Sequence, residues 1–345
     1  MPQVAVRAAF YRGGTSRAVI FREDDLARFS DAERRAILLA ALGSPDPYGR
    51  EVDGLGGGIS SLSKAAIVGR APPGSDADVT FRFAQVDVAR PLVELLGTCG
   101  NISAAVGPFA VDEGMVASVE PVTTVRVLSV NTGQRYVCHV PVRGGRAEVE
   151  GDYEIDGVPG RGARIELEFL EPGGSLGHGV LPTGRVVEEI KLADGRTVEV
   201  SIVDAANPMV FVRATDIGAS ATELPEAIDQ DERLHATLDE IRDHAAVRVG
   251  LARTPDEAHE RAKSIPKVVM VAPPADYVTT RGTFVRAESV DVVTRMLSVG
   301  KTHRTIAGTA AICAAVASAV RGSIVHDVSG TAGLWPVPGL PGTGQ

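Results

Sequence analysis

A single thiol precedes a segment that has the pattern of a buried helix. Cys99 is followed by Gly100 and Asn101, and then by residues 102–111, which are mostly small and apolar. We expect a helix to begin at Gly100 or Asn101. Because the first N–H groups of a helix have no partner within it, they would face the Cys99 sulfur together with the positive end of the helix dipole. Such an environment favours the thiolate and binds carboxylate oxygens, so it indicates proton chemistry beside a carboxylate.

Lys64 is the second candidate for chemistry. It follows Ser60 and Ser61 and leads into the apolar residues 65–68. Partial burial lowers the pKa of a lysine toward neutrality, which makes Lys64 a candidate base, and the two serines are short donors that can bind a carboxylate. The alternatives are structural: a lysine at a strand end whose ammonium reaches water, and, for Cys99, an inert buried thiol.

The pattern around the thiol returns near the other end of the chain. A second small, apolar segment follows Ala307, Gly308 and Thr309. These three residues correspond to Cys99, Gly100 and Asn101, which precede the first such segment. Residues 12–21 and 205–212 form a weaker pair, since both are turns that lead into apolar strands. Two related halves would bring two helix N-termini to one cleft. The alternative is that glycine before an alanine-rich helix is ordinary packing chemistry.

Length and composition are those of a globular chain of 345 residues, enough for two domains. The formal net charge of −9 argues against nucleic acid as a partner. No apolar run is long enough to cross a membrane, and the first residues lack the pattern of a signal peptide. Three widely spaced cysteines suit a reducing compartment, so we expect a cytoplasmic protein.

Other patterns give weaker signals. The seven histidines lack metal-ligand spacing, so no metal site is predicted. Residues 54–58 resemble a phosphate loop but lack the Lys-Ser/Thr that would follow. Arg12, Arg17 and His303 are further candidates for binding anions, although each also fits an ordinary surface position.

The elements that must position these residues follow from periodicity and turn signals. A Gly- and Pro-rich stretch at 171–184 is predicted to link the two halves. A turn-rich loop at 43–58 is long for a compact domain, and such loops are often functional. The predicted strands lie at 3–10, 16–21, 59–68, 79–88, 123–129, 135–142, 197–203, 209–213 and 267–272, and the predicted helices at 31–42 (capped by Ser30), 100–111, 229–249 and 308–320.

Several segments, taken together and in order, resemble the methylaconitate cis-trans isomerase (PrpF) family. Each segment is weak alone, but the ordered set is specific and runs from about residue 7 to about residue 325. Relatives in this family include 4-oxalomesaconate isomerases and tautomerases and methylitaconate Δ-isomerase. The matching segments are residues 11–16, 43–48, 53–57, 60–64, 99–101 followed by 104–107, and 300–303 with 308–311.

The resemblance implies an α/β (α+β) fold of the diaminopimelate-epimerase-like kind, with two similar domains, each a curled sheet around a central helix, and the active site between them. It also implies cofactor-free 1,3-allylic proton transfer on unsaturated di- or tricarboxylic acids, such as methylaconitate or oxalomesaconate. The family lysine matches Lys64 and the family cysteine matches Cys99. In related epimerases a second cysteine opens the second helix, where this chain has Ala307, so a two-thiol amino-acid epimerase is disfavoured.

We therefore predict Lys64 and Cys99 as catalytic residues, with Lys64 as the base and Cys99 either returning the proton or only shaping the site. No metal and no cofactor are predicted. The predicted partner is a small polycarboxylate, with neither nucleic acid nor membrane, and a homodimer is left open. The residues predicted to bind substrate are Arg12, Ser16, Ser60, Ser61, Gly100, Asn101, Gly308 and Thr309.

The predicted domains are 1–180, which carries the lysine and the cysteine, and 185–329, followed by an irregular tail at 330–345. Family members usually continue through a His-Pro-Ser-Gly segment and final strands. The Gly- and Pro-rich tail does not match these strands, so we expect them to be missing and a sheet edge to be left open. This departure motivates the alternative function: a non-catalytic protein that binds carboxylates or assists an aconitase-type enzyme.

Overall fold

The structure is a computed structural model that describes residues 3–329. It divides into two compact units, Met1–Pro172 and Gly173–Gln345. Gly173 and Gly174 belong to the second unit because their backbones pair with residues of that unit. Gly173 forms a β-bridge with Ala205, and the Gly174 N–H donates to the Asp204 carbonyl at 2.9 Å. The predicted tail at 330–345 lies outside the described residues.

The described part of the first unit contains one sheet of nine strands, in the order β1-β2-β3-β4-β6-β7-β8, with β5 on β4 and β9 on β7. Its strands are β1 (Ala9–Gly13), β2 (Ser16–Arg22), β3 (Lys64–Arg70), β4 (Val79–Val86), β5 (Val93–Glu94), β6 (Val122–Ser129), β7 (Arg135–Arg143), β8 (Arg146–Ala147) and β9 (Glu166–Leu170). Its helices are α1 (Glu23–Leu26), α2 (Asp31–Leu42) and α3 (Gly100–Asp112).

Helix α3 lies in the core of the first unit because it is apolar all round. It contacts seven strands of the sheet: β1, β2, β3, β6, β7, β8 and β9. A side chain at Gly107 would overlap the Cys138 sulfur, so glycine there allows the helix to pack closely against β7. The other face of the sheet is covered by α1 and α2, whose Leu26, Leu38 and Leu42 join a separate core. The sheet therefore separates two cores, and α3 fills the inner one.

The second unit has a five-stranded sheet in the order β10-β11-β12-β13-β16. One face packs on α5 (Glu232–Arg248), and the other packs on α7 (Gly308–Ala319) and α8 (Ile324–Val328). The strands of this unit are β10 (Glu188–Lys191), β11 (Thr197–Ala205), β12 (Asn207–Arg213), β13 (Lys267–Ala272), β14 (Tyr277–Val278), β15 (Phe284–Val285) and β16 (Val293–Met296), and β14 pairs with β15 in a separate two-stranded sheet. Its helices are α4 (Pro225–Gln230), α5 (Glu232–Arg248), α6 (Pro255–Arg261), α7 (Gly308–Ala319) and α8 (Ile324–Val328), with 3-10 turns at Ala214–Ile217 and Ala287–Ser289.

Both units repeat one order of elements. An antiparallel hairpin (β1-β2, or β11-β12) leads through helices to a parallel neighbour (β3, or β13). An antiparallel strand then follows (β4, or β16), and after it comes the apolar helix (α3, or α7). The weaker of the two sequence pairs, 12–21 and 205–212, falls on the two hairpins. The structure thus gives the predicted repeat a topological basis.

Several predicted element bounds are corrected by the structure. The strand predicted at 59–68 begins only at Lys64, because residues 60–63 form a turn. The helix predicted at 229–249 is broken at Asp231, which ends α4 and caps α5 by accepting from the Leu234 N–H at 2.9 Å. The prediction for α2 is confirmed, including its cap: Ser30 and Glu33 form a capping box.

Candidate active site

Lys64 is buried at the first position of β3, with 6% of its surface exposed. Because side chains alternate along a strand, Lys64 shares the α3 face with Ala66 and Val68, which lie in the inner core. Its Nζ donates to Gln85 Oε1 at 2.6 Å and lies 5.3 Å from the centre of the Phe83 ring. Burial lowers the pKa of Lys64, and the negative charge of Cys99 in its thiolate form opposes this by raising the pKa.

Cys99 is the N-cap residue of α3 and is half-buried. Its carbonyl accepts from the N–H of Ser103 at 2.9 Å and from the Ser103 hydroxyl at 3.0 Å, so its backbone fixes the start of the helix. The Cys99 side chain makes no capping hydrogen bond, and the first turn carries no acidic residue. The thiol therefore stands at the positive end of a helix dipole and close enough to Lys64 for their charges to interact.

The hairpin between β1 and β2 contacts the first turn of α3. The Asn101 side-chain amide donates to Thr15 Oγ1 at 2.9 Å and to Ser16 Oγ at 3.3 Å. A side chain at Gly13 would overlap the Asn101 carbonyl, and Gly14 has a positive φ of 52°. The two glycines of the hairpin are thus required by a close backbone approach and a left-handed turn. This contact holds Ser16, Gly100 and Asn101 together.

The turn before β3 is held from both sides. The Ser60 carbonyl accepts from Gln85 Nε2 at 3.1 Å, and the Ser61 carbonyl accepts from the Arg17 N–H at 3.1 Å. Both serines are half-buried in this turn. Their backbone bonds fix the turn immediately before Lys64, so the structure places Ser60 and Ser61 beside the predicted base in the chain and in space.

Glu51 anchors the long loop to the same turn. It is almost fully buried, with 1% of its surface exposed, and its carboxylate accepts from the Ser63 hydroxyl and from the Gly58 N–H at 2.7 Å. Asp46 organises the preceding part of the loop by accepting from the N–H groups of Tyr48, Arg50 and Glu51. The loop predicted at 43–58 is therefore a scaffold that fixes the residue next to Lys64.

Arg12 lies apart from this group. Its side chain is exposed and donates to the Gly14 carbonyl at 2.9 Å. Arg12 is paired with Arg17, and both lie on the sheet face opposite α3, because Tyr11 and Ala18 next to them face the inner core. The structure thus brings Lys64, Cys99, Ser16, Ser60, Ser61, Gly100 and Asn101 to one region of the first unit, and it places Arg12 on the other face.

At the N-terminus of α7 in the second unit, an asparagine and a threonine again join the helix to the hairpin, as Asn101 and Thr15 do in the first unit, but the asparagine now lies on the hairpin. Ala307 is the N-cap residue, and buried Thr309 accepts from Asn207 Nδ2 at 3.4 Å. Here the hairpin supplies the amide and the helix supplies the hydroxyl. Gly308 opens the helix, and Cys313 is fully buried with its thiol directed at the Val203 carbonyl at 3.3 Å.

Two residues of this site, Gln85 and Glu51, were missed by the sequence analysis. The available signal for Gln85 was an amide in a strand of otherwise alternating apolar residues, at 79–86. The composition also singles out Lys64 itself, because the chain has five lysines and Lys64 is the one that lies within the first 172 residues. No local pattern marks Glu51, because its partners Gly58 and Ser63 become neighbours only when the loop folds back.

Within residues 3–329, no group of three or more His, Cys, Asp or Glu side chains is arranged to hold a metal ion. None of the helices in this range combines the length and the apolar character needed to cross a membrane.

Comparison with known proteins shows the family. The family model described as PrpF protein matches residues 3–336. A 2-methyl-aconitate isomerase of Cupriavidus necator is 40% identical over 96% of this chain and 85% of its own length. A 3-methylitaconate isomerase of Eubacterium barkeri is 40% identical, and a 4-oxalomesaconate tautomerase of Pseudomonas putida is 35% identical. The match covers 94% and 96% of this chain, respectively, and 85% of each relative.

A solved structure agrees with this result. The crystal structure of a methylitaconate Δ-isomerase superposes with a TM-score of 0.74 at 40% identity, over 96% of this chain and 84% of that chain. The predicted fold class, with a mixed sheet and an apolar helix in each half, is confirmed. The chain is an isomerase, and it belongs to the PrpF family.

Proposed function

We propose that this isomerase moves a proton across the allylic system of an unsaturated di- or tricarboxylic acid, with Lys64 as the base. The substrates named for its relatives are methylaconitate, methylitaconate and oxalomesaconate. All three names describe unsaturated polycarboxylates, and we propose an acid of this class for the present chain. The observation that carries the proposal is a buried lysine with a lowered pKa beside a thiol at a helix N-terminus.

In the proposed reaction, neutral Lys64 Nζ takes the proton from the carbon next to the double bond. The C–H electron pair forms the new double bond, the old one shifts, and negative charge develops on the carboxylate as a dienolate. The N–H groups at Gly100 and Asn101, which have no partner within the helix, stabilise that charge. Cys99, which starts this reaction as a neutral thiol, then gives its S–H proton to the far carbon of the allyl system. Afterwards Lys64 is an ammonium and Cys99 a thiolate, and exchange with solvent restores both.

Ser16, Ser60 and Ser61 are proposed to orient the substrate, because each lies in the turns that hold Lys64 and the start of α3. Gly308 and Thr309, at the start of the corresponding helix of the second unit, stay predictions from sequence as carboxylate-binding residues. Arg12 stays a prediction from sequence. A homodimer and a cytoplasmic location also stay predictions, and light scattering of the purified chain tests the first.

A non-catalytic, carboxylate-binding role is not favoured, because relatives that align with almost the whole chain are named as isomerases and as a tautomerase. The test is incubation with a panel of unsaturated polycarboxylates in deuterated buffer, followed by proton NMR. We expect one acid to isomerise with deuterium entering the allylic positions, and Lys64→Ala to slow this exchange by about a hundredfold or more. Tight binding of a tricarboxylate without exchange in any acid of the panel would contradict the proposal.

A further inference from the structure

Gln85 holds Lys64 in a single arrangement. The two residues are directly paired across β3 and β4, so their side chains leave the sheet on the same face. Gln85 Nε2 donates to the carbonyls of Ser60 at 3.1 Å and Ser63 at 3.0 Å. Because carbonyl oxygens only accept, the NH2 end of the amide must face them, and the Oε1 end must face Lys64. Both ends of the amide are thus assigned by their partners.

This arrangement has a chemical consequence for a neutral amine. One N–H of Lys64 points at Gln85 Oε1 across 2.6 Å, so the Nζ lone pair is directed away from β4. An amide oxygen does not take up a proton at neutral pH, and the bond therefore orients the amine without competing for the substrate proton. When Lys64 becomes an ammonium, the same oxygen and the face of the Phe83 ring stabilise its charge.

Gln85 also separates Lys64 from a carboxylate. Glu94 on β5 is paired with Gln85 in the register, so the three side chains form a row across β3, β4 and β5 on the face of α3. All three are buried. An ion pair between Lys64 and Glu94 would favour the ammonium and leave less of the free amine. Because the Gln85 amide is neutral and lies between them in the row, it separates Lys64 from the Glu94 carboxyl group.

We propose that Gln85 is a positioning residue of the active site: it fixes the direction of the Lys64 amine and keeps Lys64 apart from Glu94. The inference rests on the proposed role of Lys64 as the base. Cys99, at the start of α3, is the titratable group whose charge acts on Lys64, and Glu94 lies in the same row beyond Gln85 on β5.

The experiment measures the pKa of Lys64 directly, by NMR of the full chain labelled with 13C and 15N at lysine. Five lysines give a simple spectrum, and Lys64→Arg identifies the Lys64 signal. Gln85→Met keeps the length of the side chain and removes the acceptor, so we expect the pKa of Lys64 to fall. Gln85→Glu puts an ionisable oxygen at the same place, so we expect it to rise. The acidic limb of the pH–rate profile should move in the same directions.

We expect Gln85→Met to lower kcat by about ten- to a hundredfold, which is the scale of a misplaced catalytic group, with KM changed by less than about threefold. Gln134→Met is the matched control: Gln134 also donates to a backbone carbonyl, that of Pro172 at 2.6 Å, but it has no contact with Lys64. This control should leave the Lys64 signal and the rate unchanged.

The outcomes separate the two proposals. If Lys64→Ala still isomerises the substrate, the role of Lys64 as base is wrong, whereas the NMR titration continues to report whether Gln85 holds the amine. If Gln85→Met does not fold, the folded Gln85→Glu protein provides the titration and the rate. An unmoved Lys64 pKa together with an unchanged kcat in the folded Gln85 variants would overturn the inference.

Discussion

Asn101 donates from its side-chain amide to Thr15 Oγ1 across 2.9 Å, and this bond joins the first hairpin to the helix that Cys99 caps. In the second unit, Asn207 of the hairpin donates to Thr309 of the helix at 3.4 Å. The two halves thus keep the same junction while exchanging which element supplies the donor. The junction matters because it places a helix N-terminus against a tight turn in each unit.

Removal of this junction should loosen the first unit. Asn101→Ala deletes both hydrogen bonds and leaves the Thr15 and Ser16 hydroxyls without that donor, so we expect a loss of about 1–2 kcal/mol in the free energy of unfolding. Urea denaturation, monitored by circular dichroism, measures this change in the free energy of unfolding. Thr124→Ala is the control, since Thr124 has only an exposed contact with His139. Equal stability of the two variants would show that the junction contributes little.

Lys64 should control the pH dependence of the reaction. The amine acts as a base only when it is neutral, so the rate should rise as the pH rises through the Lys64 pKa. Burial places that pKa below the usual value for lysine, and the rise should therefore be complete at a lower pH than for an exposed lysine. A pH profile of kcat/KM measures this. An acidic limb at the pKa of an exposed lysine would contradict the burial argument.

Lys64→Ala should lower the rate by about a hundred- to ten-thousandfold, the range expected when a general base is removed. Lys267→Ala is the matched control, because this lysine lies in the second unit and donates to the Ser264 carbonyl at 2.9 Å. We expect the control to keep most of the activity. Proton exchange in deuterated buffer is the readout, and unchanged exchange in Lys64→Ala would remove Lys64 from the mechanism.

Cys99 should react faster with iodoacetamide than Cys138 or Cys313. Cys99 is half-buried at the N-terminus of α3, whereas the other two thiols are fully buried. Burial also raises the pKa of Cys138 to about 12 and raises that of Cys313 strongly, so both stay protonated and unreactive at neutral pH. Peptide mapping by mass spectrometry gives the three rates, and a tricarboxylate should slow the labelling of Cys99. Slow, equal labelling of all three would make Cys99 a packing residue.

Ser63 should be needed for the loop that Glu51 anchors. Ser63→Ala removes one donor from a carboxylate that is almost fully buried, so we expect a loss of about 1–3 kcal/mol in unfolding free energy. Because Ser63 lies next to Lys64, a fall in kcat should accompany the loss. Denaturation and steady-state kinetics test both effects. Ser75→Ala, at an exposed turn, is the control and should match the parent chain. The same stability in both variants would contradict this view of Glu51.

The sequence by itself was enough to predict the positions of the two apolar helices, the residues at which they start, and Lys64 as a candidate for chemistry. All three depend on local patterns. The small apolar residues after Cys99 and after Ala307 form runs of about ten positions, a length that favours a buried helix over a buried strand. The structure starts both helices at the glycine, Gly100 and Gly308. The break of the long helix at Asp231 was missed, since Asp also fits a helix interior in an exposed stretch. Gly13 and Gly14 were recognised as a turn in the sequence, but only the structure shows that Gly13 allows the close approach of the Asn101 carbonyl.

The tertiary structure alone decided which groups surround Lys64. Gln85 lies 21 residues away in the chain, and only the register of β3 and β4 makes it the partner of Nζ. Glu51 reaches Ser63 only because the loop folds back on the start of β3. A side chain's local pattern predicts whether it is buried, since burial follows periodicity. Its pKa and its direction depend on charges and hydrogen bonds from distant parts of the chain, which only folding brings together.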